Sequence, residues 1–471
     1  MSAFTVRGVV EGFYGPAYDQ NEREDLLRFL GEHGYNLYLY GPKNDRQHRA
    51  RWREPYSAAA LEDFRSSVAV GKSAGVEFAY ALSPGLDVRY ASDADMKAIE
   101  AKFTALALVG VRSFALFLDD INPTFRHPED AARFANFAAA QAELCNRVLA
   151  WLRRQWPEAR LSMCPTAYHG APPFGDYLHQ LGELLAPEVD VFYTGVDVCS
   201  RTIGRHEVEA FAAALRRAPL LWDNYPVNDG GMRTELHIGP IRGRAADLPG
   251  CVKGFAVNPM NQAEASKVAL HTFAAYFQDP VGYEPEAAWR QALALVAGEE
   301  HAGALEAFAR TALHGVLGTE PAARLSQLAA AACADLRAAA AGKGQPGVTA
   351  MASGHDGATW PDFGGGSALS ELARYLAELD AACYDLKFKL RNYALRAELL
   401  PWLEALESWL WSGRRALEVV AASRAGQDIT PALKRLREPY GIARGHHKRS
   451  GGEELLPFIE LALERHVGVA A

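Results

Sequence analysis

Along the first 260 residues the apolar positions collect into eight short runs, separated by stretches in which they recur every three or four places. The runs are "TVRGVVEGFYG" (5–15), "NLYLYGPKND" (36–45), "VEFAYALSPG" (76–85), "SFALFLDD" (113–120), "RLSMCPTAY" (160–168), "DVFYTG" (190–195), "LLWDNYPVND" (220–229) and "GFAVNP" (254–259). Each ends in polar or turn residues, as a strand buried on both faces does. Helical period marks the stretches between most of them: 21–34, with Leu26, Leu27 and Leu30 in one stripe and Gly34 as a C-cap, then 57–75, 93–110 and 129–155. The stretch after the seventh run, 230–250, carries Gly and Pro where a helix should be. Strands alternating with helices eight times over predict an α/β fold, a (β/α)8 TIM barrel. A doubly wound open sheet is the rival, but it wants a Gly-rich phosphate loop after its first strand, and "EGFYGPAY" is not one.

The pattern changes after residue 285. Ala and Leu dominate with helical spacing, clearest at Leu372, Leu376, Leu379, Cys383, Leu386 and Leu390, which predicts a C-terminal all-α helical bundle over 286–471 behind a barrel over 1–285. Within it, 341–366 is dense in Gly without any period and reads as a long exposed loop. The Trp-rich 401–420 has the spacing of a packed helix, a reading preferred over a sugar-stacking face. The bundle's apolar stripes need a partner surface, which the barrel's helices or a second copy in a homodimer would supply.

Composition narrows the class. The 471 residues are 49% apolar and 23% charged, with 49 basic against 57 acidic side chains, so nothing favours a nucleic-acid partner. The six cysteines form no CxxC pair and read as reduced, buried thiols. The first residues carry no basic segment followed by an apolar one, and no stretch approaches the ~18 apolar residues of a membrane span, so no membrane partner and a cytoplasmic location are expected.

In a barrel of this kind, function gathers at the C-terminal ends of the strands. Those ends present Glu11 and Tyr14; Lys43, Asn44 and Asp45; Ser83; Asp119 and Asp120; Tyr168; Thr194; Trp222, Asp223, Asn224, Asn228 and Asp229; and Asn258. No His or Asp cluster of metal-ligand spacing appears among them, so no metal and no cofactor are expected. An acidic and neutral-polar ring with aromatic walls suits a hydroxyl-rich, uncharged ligand: carboxylates and amides bind sugar hydroxyls, and aromatic faces cover the ring.

The adjacent Asp119 and Asp120 stand out. A lone Asp at a strand end commonly caps a helix or closes a turn. Neighbours on a strand point to opposite faces, so two carboxylates together imply that regular structure ends there and both reach the barrel mouth. Close carboxylates resist double ionisation; one is expected to have a raised pKa and to serve as an acid. Ordinary glycosidases set their two carboxyls on opposite sides of the scissile bond, ~5 to 9.5 Å apart. Adjacent residues suit a substrate-assisted route better, in which the sugar's own 2-acetamido oxygen attacks the anomeric carbon.

"GVVEGFYG", "YLYGPKND", "SFALFLDDI", "WDNYPVND" and "AVNP", in that order, closely resemble glycoside hydrolase family 84, the O-GlcNAcase and hyaluronidase-like β-N-acetylglucosaminidases. The resemblance covers residues 5 to about 280. It implies a (β/α)8 barrel that removes β-linked N-acetylglucosamine from glycoproteins or other glycoconjugates, with retention, through an oxazoline. On matching positions it implies that Asp119 orients the acetamido N–H and that Asp120 is the general acid and later the base. Gly12 and Lys43 would hold the 3-hydroxyl side, Tyr168 the acetamido group or reacting centre, and Trp222 the pocket wall. Asn224 would bind the sugar, and Asp229 with Asn258 the 4- and 6-hydroxyls. The chain departs from the family's frequent pattern at Pro16-Ala17-Tyr18, where Arg-Pro-Trp is common, and at Gly230, where an aromatic is common; both lie where the resemblance implies that the aglycone leaves. A sugar-binding barrel without turnover is the alternative reading, and the intact Asp pair speaks against it.

Overall fold

In the computed structural model, residues 4–313, 317, 323–339, 349–353, 359–364 and 366–467 are described. The eight predicted runs form eight parallel strands: β1 (Val6–Glu11), β2 (Leu37–Tyr40), β3 (Glu77–Leu82), β4 (Ser113–Phe117), β5 (Arg160–Cys164), β6 (Asp190–Tyr193), β7 (Leu220–Asp223) and β8 (Gly254–Val257). They pair in chain order and close on themselves, with β8 against β1 in the register Val6↔Gly254 to Val9↔Val257. Closure needs a glycine at 254. Its φ is +147°, and a Cβ there would lie 1.8 Å from the Val6 carbonyl oxygen.

The interior is filled by one parity of each strand. Val10, Leu39, Ala79, Ala81, Ala115, Phe117, Cys164, Phe192, Leu220, Trp222 and Ala256 form a buried cluster, in which small residues on some strands make room for Phe117, Phe192 and Trp222 on others. Phe117 and Trp222 meet at 4.9 Å between ring centroids.

The outer helices are α1 (Gln20–Glu32), α2 (Ala58–Ala74), α3 (Asp93–Leu108), α4 (Pro128–Arg133), α5 (Phe137–Gln155), α6 (Asp176–Leu184), α7 (Arg205–Leu215) and α8 (Ala263–Gln278). Side-chain oxygens set their starts: Asp19 and Glu22 make a capping box on α1, and Ser57 and Ser92 cap α2 and α3. The stretch 129–155, expected as one helix, is two. Asn136 takes an extended conformation and its side chain accepts from Ala139 N, so the chain stops and restarts there. Between β7 and β8 no α-helix forms; Gly230–Met232 and Leu248–Gly250 are single 3-10 turns.

The chain divides into two compact units, residues 1–230 with 240–288 and residues 231–239 with 289–471. The sequence suggested a single boundary near 285; the excursion of 231–239 into the second unit was not foreseen. Side chains of that unit hold its backbone: Trp402 Nε1 donates to Thr234 O at 2.9 Å, Lys448 Nζ to Arg233 O at 2.6 Å and Trp289 Nε1 to Ile238 O at 2.8 Å.

The second unit contains α9 (Pro285–Ala297, which begins within the first), α10 (Glu299–Ala312), α11 (Ala323–Ala339), α12 (Ala368–Phe388), α13 (Tyr393–Arg424), α14 (Thr430–Gly445) and α15 (Leu456–Val467). The stripe from Leu372 to Leu390 is buried, and in α13 Trp402 and Trp409 are buried while Trp411 is half exposed. The exposed loop expected at 341–366 is corrected where residues are described. There, β9 (Thr349–Ser353) and β10 (Thr359–Asp362) pair antiparallel, and Trp360 and Phe363 are buried. Glycine density hid two strands, the second of which carries the buried Trp360 and runs into the buried Phe363. Residues 341–348, 354–358 and 365 of that stretch lie outside the described ones. Among the described residues no helix is long and apolar enough to cross a membrane.

Candidate active site

Beyond the last interior layer, the inward parity of the strands continues into the loops and builds a pocket. After Val10 comes Gly12; after Phe117, Asp119; after Phe192, Thr194; after Trp222, Asn224; after Ala256, Asn258. These five, with Tyr14, Lys43, Asp120, Cys164, Tyr168, Val198, Cys199, Trp222, Val227 and Asp229, line one cavity at the C-terminal end of the barrel. All nine residues singled out from the sequence are in that lining: Gly12, Lys43, Asp119, Asp120, Tyr168, Trp222, Asn224, Asp229 and Asn258.

The opposite parity removes other strand-end acids from the pocket. Glu11 is fully buried on the helix side, where Arg23 Nε lies 2.9 Å from Oε2 and the Tyr38 hydroxyl donates at 2.5 Å. Asp223, also fully buried, pairs with Arg244 at 2.5 and 2.8 Å. Asp45 accepts from the Tyr40 and Tyr56 hydroxyls and organises its own turn, while Asn44 is exposed. Ser83 and Asn228 are buried beside Arg49 and Gln262 rather than in the lining. Sequence position at a strand end does not separate these groups; side-chain direction does.

Strand β4 ends at Phe117, and the two carboxylates part there. Asp119 is 5% exposed and Asp120 turns outward with φ +53°, a left-handed conformation uncommon outside glycine. Lys43 Nζ donates to Asp119 Oδ2 at 2.6 Å, while Asp119 Oδ1, equally buried, has no hydrogen-bond partner. Asp120 accepts from Tyr14 at 2.7 Å and from Tyr168 at 2.9 Å, one hydroxyl to each oxygen. Burial pushes the Asp120 carboxyl up, but Lys43, the two hydroxyls and Arg49 outweigh it and hold the carboxyl below its ordinary value. Tyr14 and Tyr168 are pushed up by burial and by the charge they bind, so both remain donors. The expectation that one of two adjacent carboxylates has a raised pKa is not met at Asp120, because the pair does not stand alone: a buried ammonium and two phenol donors stabilise the Asp120 charge. Asp229, also in the lining, is raised through burial and then the Asp120 charge, even though Tyr14 N donates to it at 2.7 Å.

On the far wall the amides interlock. Asn224 Oδ1 accepts from Trp222 Nε1 at 2.9 Å and from Asn258 Nδ2 at 2.8 Å, and Asn224 Nδ2 donates to Val198 O at 2.7 Å. One Asn224 N–H remains for a ligand. Gly12 explains itself at this wall: a Cβ would meet the Trp222 ring at 2.3 Å, so only glycine leaves room for the indole there. Among the described residues no group of three or more His, Cys, Asp or Glu is placed to hold a metal ion.

Sequence reading gathered Tyr14 and Thr194 at the rim without a role, and it missed Cys164, Val198, Cys199 and Val227. Cys164 ends β5 and belongs to the inward cluster, so alternation along that strand could have found it. Val198 and Cys199 lie in an irregular loop that carries no periodic signal. Burial and the nearby Asp229 push the Cys199 thiol up to about 12, so this lining thiol stays protonated.

Residues 7–310 match the family model described as beta-N-acetylglucosaminidase. The chain is similar to the protein O-GlcNAcases of Rattus norvegicus and Mus musculus, 36% identical to each over 276 residues, which is 58% of this chain. That match takes in only 30% of the length of each relative. Among solved structures, a mutant of the Thermobaculum terrenum O-GlcNAc hydrolase is 32% identical with a TM-score of 0.87, over 99% of this chain and 96% of that one. CpGH84B is 27% identical with a TM-score of 0.80, over 98% and 77%.

Proposed function

The chain belongs to the β-N-acetylglucosaminidase family of glycoside hydrolases, family 84, and from that premise we propose that it cleaves terminal β-linked N-acetylglucosamine from the Ser or Thr of proteins by substrate-assisted hydrolysis. The observation that carries the mechanism is the divided state of Asp119. One carboxylate oxygen is neutralised by Lys43 and the other is buried without a donor, an arrangement that costs about 1–3 kcal/mol unless a ligand supplies the missing hydrogen bond. An acetamido N–H is a neutral donor of the required kind. Accepting it, Asp119 drives electron density toward the amide oxygen and stabilises the positive charge that grows there as the oxygen attacks C1.

As that bond forms, the glycosidic bond breaks and the departing oxygen takes a proton from Asp120. A bound sugar shields Asp120 from water and raises its pKa relative to the free enzyme, supplying the acid. In the second half Asp120, ionised and supported by Tyr14 and Tyr168, takes a proton from water. The hydroxide equivalent adds to C1 on the face the aglycone left, the oxazoline opens to acetamide, and configuration is retained.

The polar wall supports the sugar assignment. Asp229 and Asn258 offer acceptors and donors at the far end of the pocket for the 4- and 6-hydroxyls, Asn224 has its one remaining N–H, and Trp222 supplies an apolar face. The named activities of the relatives support an O-linked protein as the substrate, and a cytoplasmic location goes with that reading. The test is release of GlcNAc from an O-GlcNAc peptide compared with β-GlcNAc and β-GalNAc aryl glycosides. Hydrolysis of neither GlcNAc substrate would leave a binding module in place of an enzyme.

A further inference from the structure

We propose that Arg49 is a positioning residue for Asp120: from behind the pocket it holds the left-handed backbone of that residue and gives its carboxyl a permanent positive neighbour. The inference rests on Asp120 acting as the acid and base of the proposed reaction. Arg49 is buried, yet it does not line the sugar pocket, so any effect it has on turnover passes through other side chains.

Its contacts converge on the reacting carboxyl. Nη1 donates to Ser83 Oγ at 3.2 Å, Nη2 points to the Asp120 carbonyl oxygen at 3.5 Å, and the guanidinium lies 5.9 Å from the centre of the Tyr14 ring, whose hydroxyl in turn holds Asp120 Oδ2. The guanidinium thus spans the ends of β3 and β4 and touches the ring that β1 sends over the pocket. The segment that carries it is itself fastened to β3. Ser83 N donates to His48 O at 2.9 Å, His48 Nδ1 donates to Ala81 O at 2.7 Å, and Arg49 N donates to Asp45 O at 3.2 Å.

A rigid cation at this point answers two needs. A non-glycine residue in the left-handed region costs energy that its surroundings must repay, and a donor aimed at its carbonyl does so. The carboxyl must also alternate between acid and base under the influence of every charged or titratable group that faces it: Lys43, Arg49, Asp119, Asp229, the Tyr14 and Tyr168 hydroxyls and the Cys164 thiol. Lys43, paired with Asp119, is the stronger cation acting on Asp120; Arg49 adds its charge and is the one whose guanidinium also reaches the Asp120 backbone. Arg is suited to this where Lys is not, because one planar fork reaches two acceptors at once.

The experiment compares the full chain with Arg49→Met, Arg49→Lys and Ser83→Ala on phenyl and dinitrophenyl β-GlcNAc across pH. For Arg49→Met we expect kcat/KM to fall about 10- to 100-fold on the phenyl glycoside, whose leaving oxygen needs the proton, and less than about threefold on the dinitrophenyl one. The alkaline limb of kcat/KM should move to higher pH in Arg49→Met, since losing a positive neighbour makes Asp120 harder to ionise, and stay in place in Arg49→Lys. Ser83→Ala, which only loosens the guanidinium, should show a smaller loss confined to the phenyl substrate. Equal losses on both glycosides, or an unmoved limb in Arg49→Met, would overturn the assignment. If Arg49→Met does not fold, Arg49→Lys and Ser83→Ala decide by the same comparison of leaving groups. A wild-type chain that hydrolyses neither glycoside would instead remove the reaction on which the inference rests.

Discussion

Lys43 binds one oxygen of Asp119 at 2.6 Å and leaves the other buried and unpaired, so the pocket carries a carboxylate whose charge is compensated but whose hydrogen bonding is incomplete. Buried as it is, the unsatisfied acceptor is a demand for a donor, and it gives the site its chemical direction. Replacing Asp119 by Ala should therefore slow hydrolysis on good and poor leaving groups alike. It should also weaken binding of thiazoline mimics of the cyclic intermediate, measured as an inhibition constant. A loss confined to poor leaving groups would assign the proton transfer to Asp119 instead.

The substrate's own nucleophile can be probed without touching the protein. Replacing the hydrogens of the N-acetyl methyl group by one, two and three fluorines makes the acetamido oxygen a progressively weaker donor, and log kcat/KM should fall steadily along the series. A flat response, or a sugar trapped covalently on Asp119, would show an enzymic nucleophile.

Asp120→Asn keeps the shape and removes the transferable proton. The loss should be about 10²- to 10⁴-fold on unactivated aryl glycosides and small on a dinitrophenyl glycoside, which leaves without help. Comparing kcat/KM for the two substrates measures the difference directly.

Tyr168→Phe should move the alkaline limb of kcat/KM to higher pH. The hydroxyl donates to Asp120 at 2.9 Å and favours its ionised form; without it, the proton is held to a higher pH in the free enzyme. A limb that moves to lower pH would show that Tyr168 opposes the charge.

Away from the pocket, Asp95 is the buried anion of a small network, with Arg53 at 2.6 and 2.9 Å and Arg89 at 2.8 Å. Burial raises its carboxyl, but the two guanidiniums outweigh it and hold it well below the ordinary value. The stability this contributes is present above the unfolded pKa of about 3.9 and is lost as pH falls toward the folded one. Asp95→Asn should cost about 1–2 kcal/mol at pH 7 in denaturant unfolding, since the partly exposed Arg53 and Arg89 remain solvated, and the gap to wild type should shrink on acidification. A gap that widens in acid would contradict the pairing.

Most of the barrel was legible because a strand buried on both faces writes an unbroken apolar run into the sequence, and a helix writes a period that differs from it. The break at Asn136 and the β9–β10 pair were not. Capping at Asn136 is a local hydrogen bond inside a stretch whose overall period stays helical, and the buried Trp360 and Phe363 lie under Arg414 and Arg424, more than 50 residues on. The excursion of 231–239 was hidden for the same reason, since the Trp402 and Lys448 side chains that hold it come more than 160 residues later.

The sequence by itself determined the order of strands, the ring of polar residues at their ends and the adjacent carboxylates, because each is a matter of residue type and short-range spacing. Only the tertiary structure decided which of those polar residues share a pocket. Glu11 and Asp223 stand beside Gly12 and Trp222 in the chain, yet parity turns them outward onto Arg23 and Arg244. It also decided the direction in which the Asp120 carboxyl is shifted. Two adjacent carboxylates would raise one another's pKa, but barrel closure brings Lys43, Tyr14, Tyr168 and Arg49 to them from other strands and holds Asp120 low. Electrostatic energy depends on distance through space, and neighbours of that kind are made by folding, not by order along the chain.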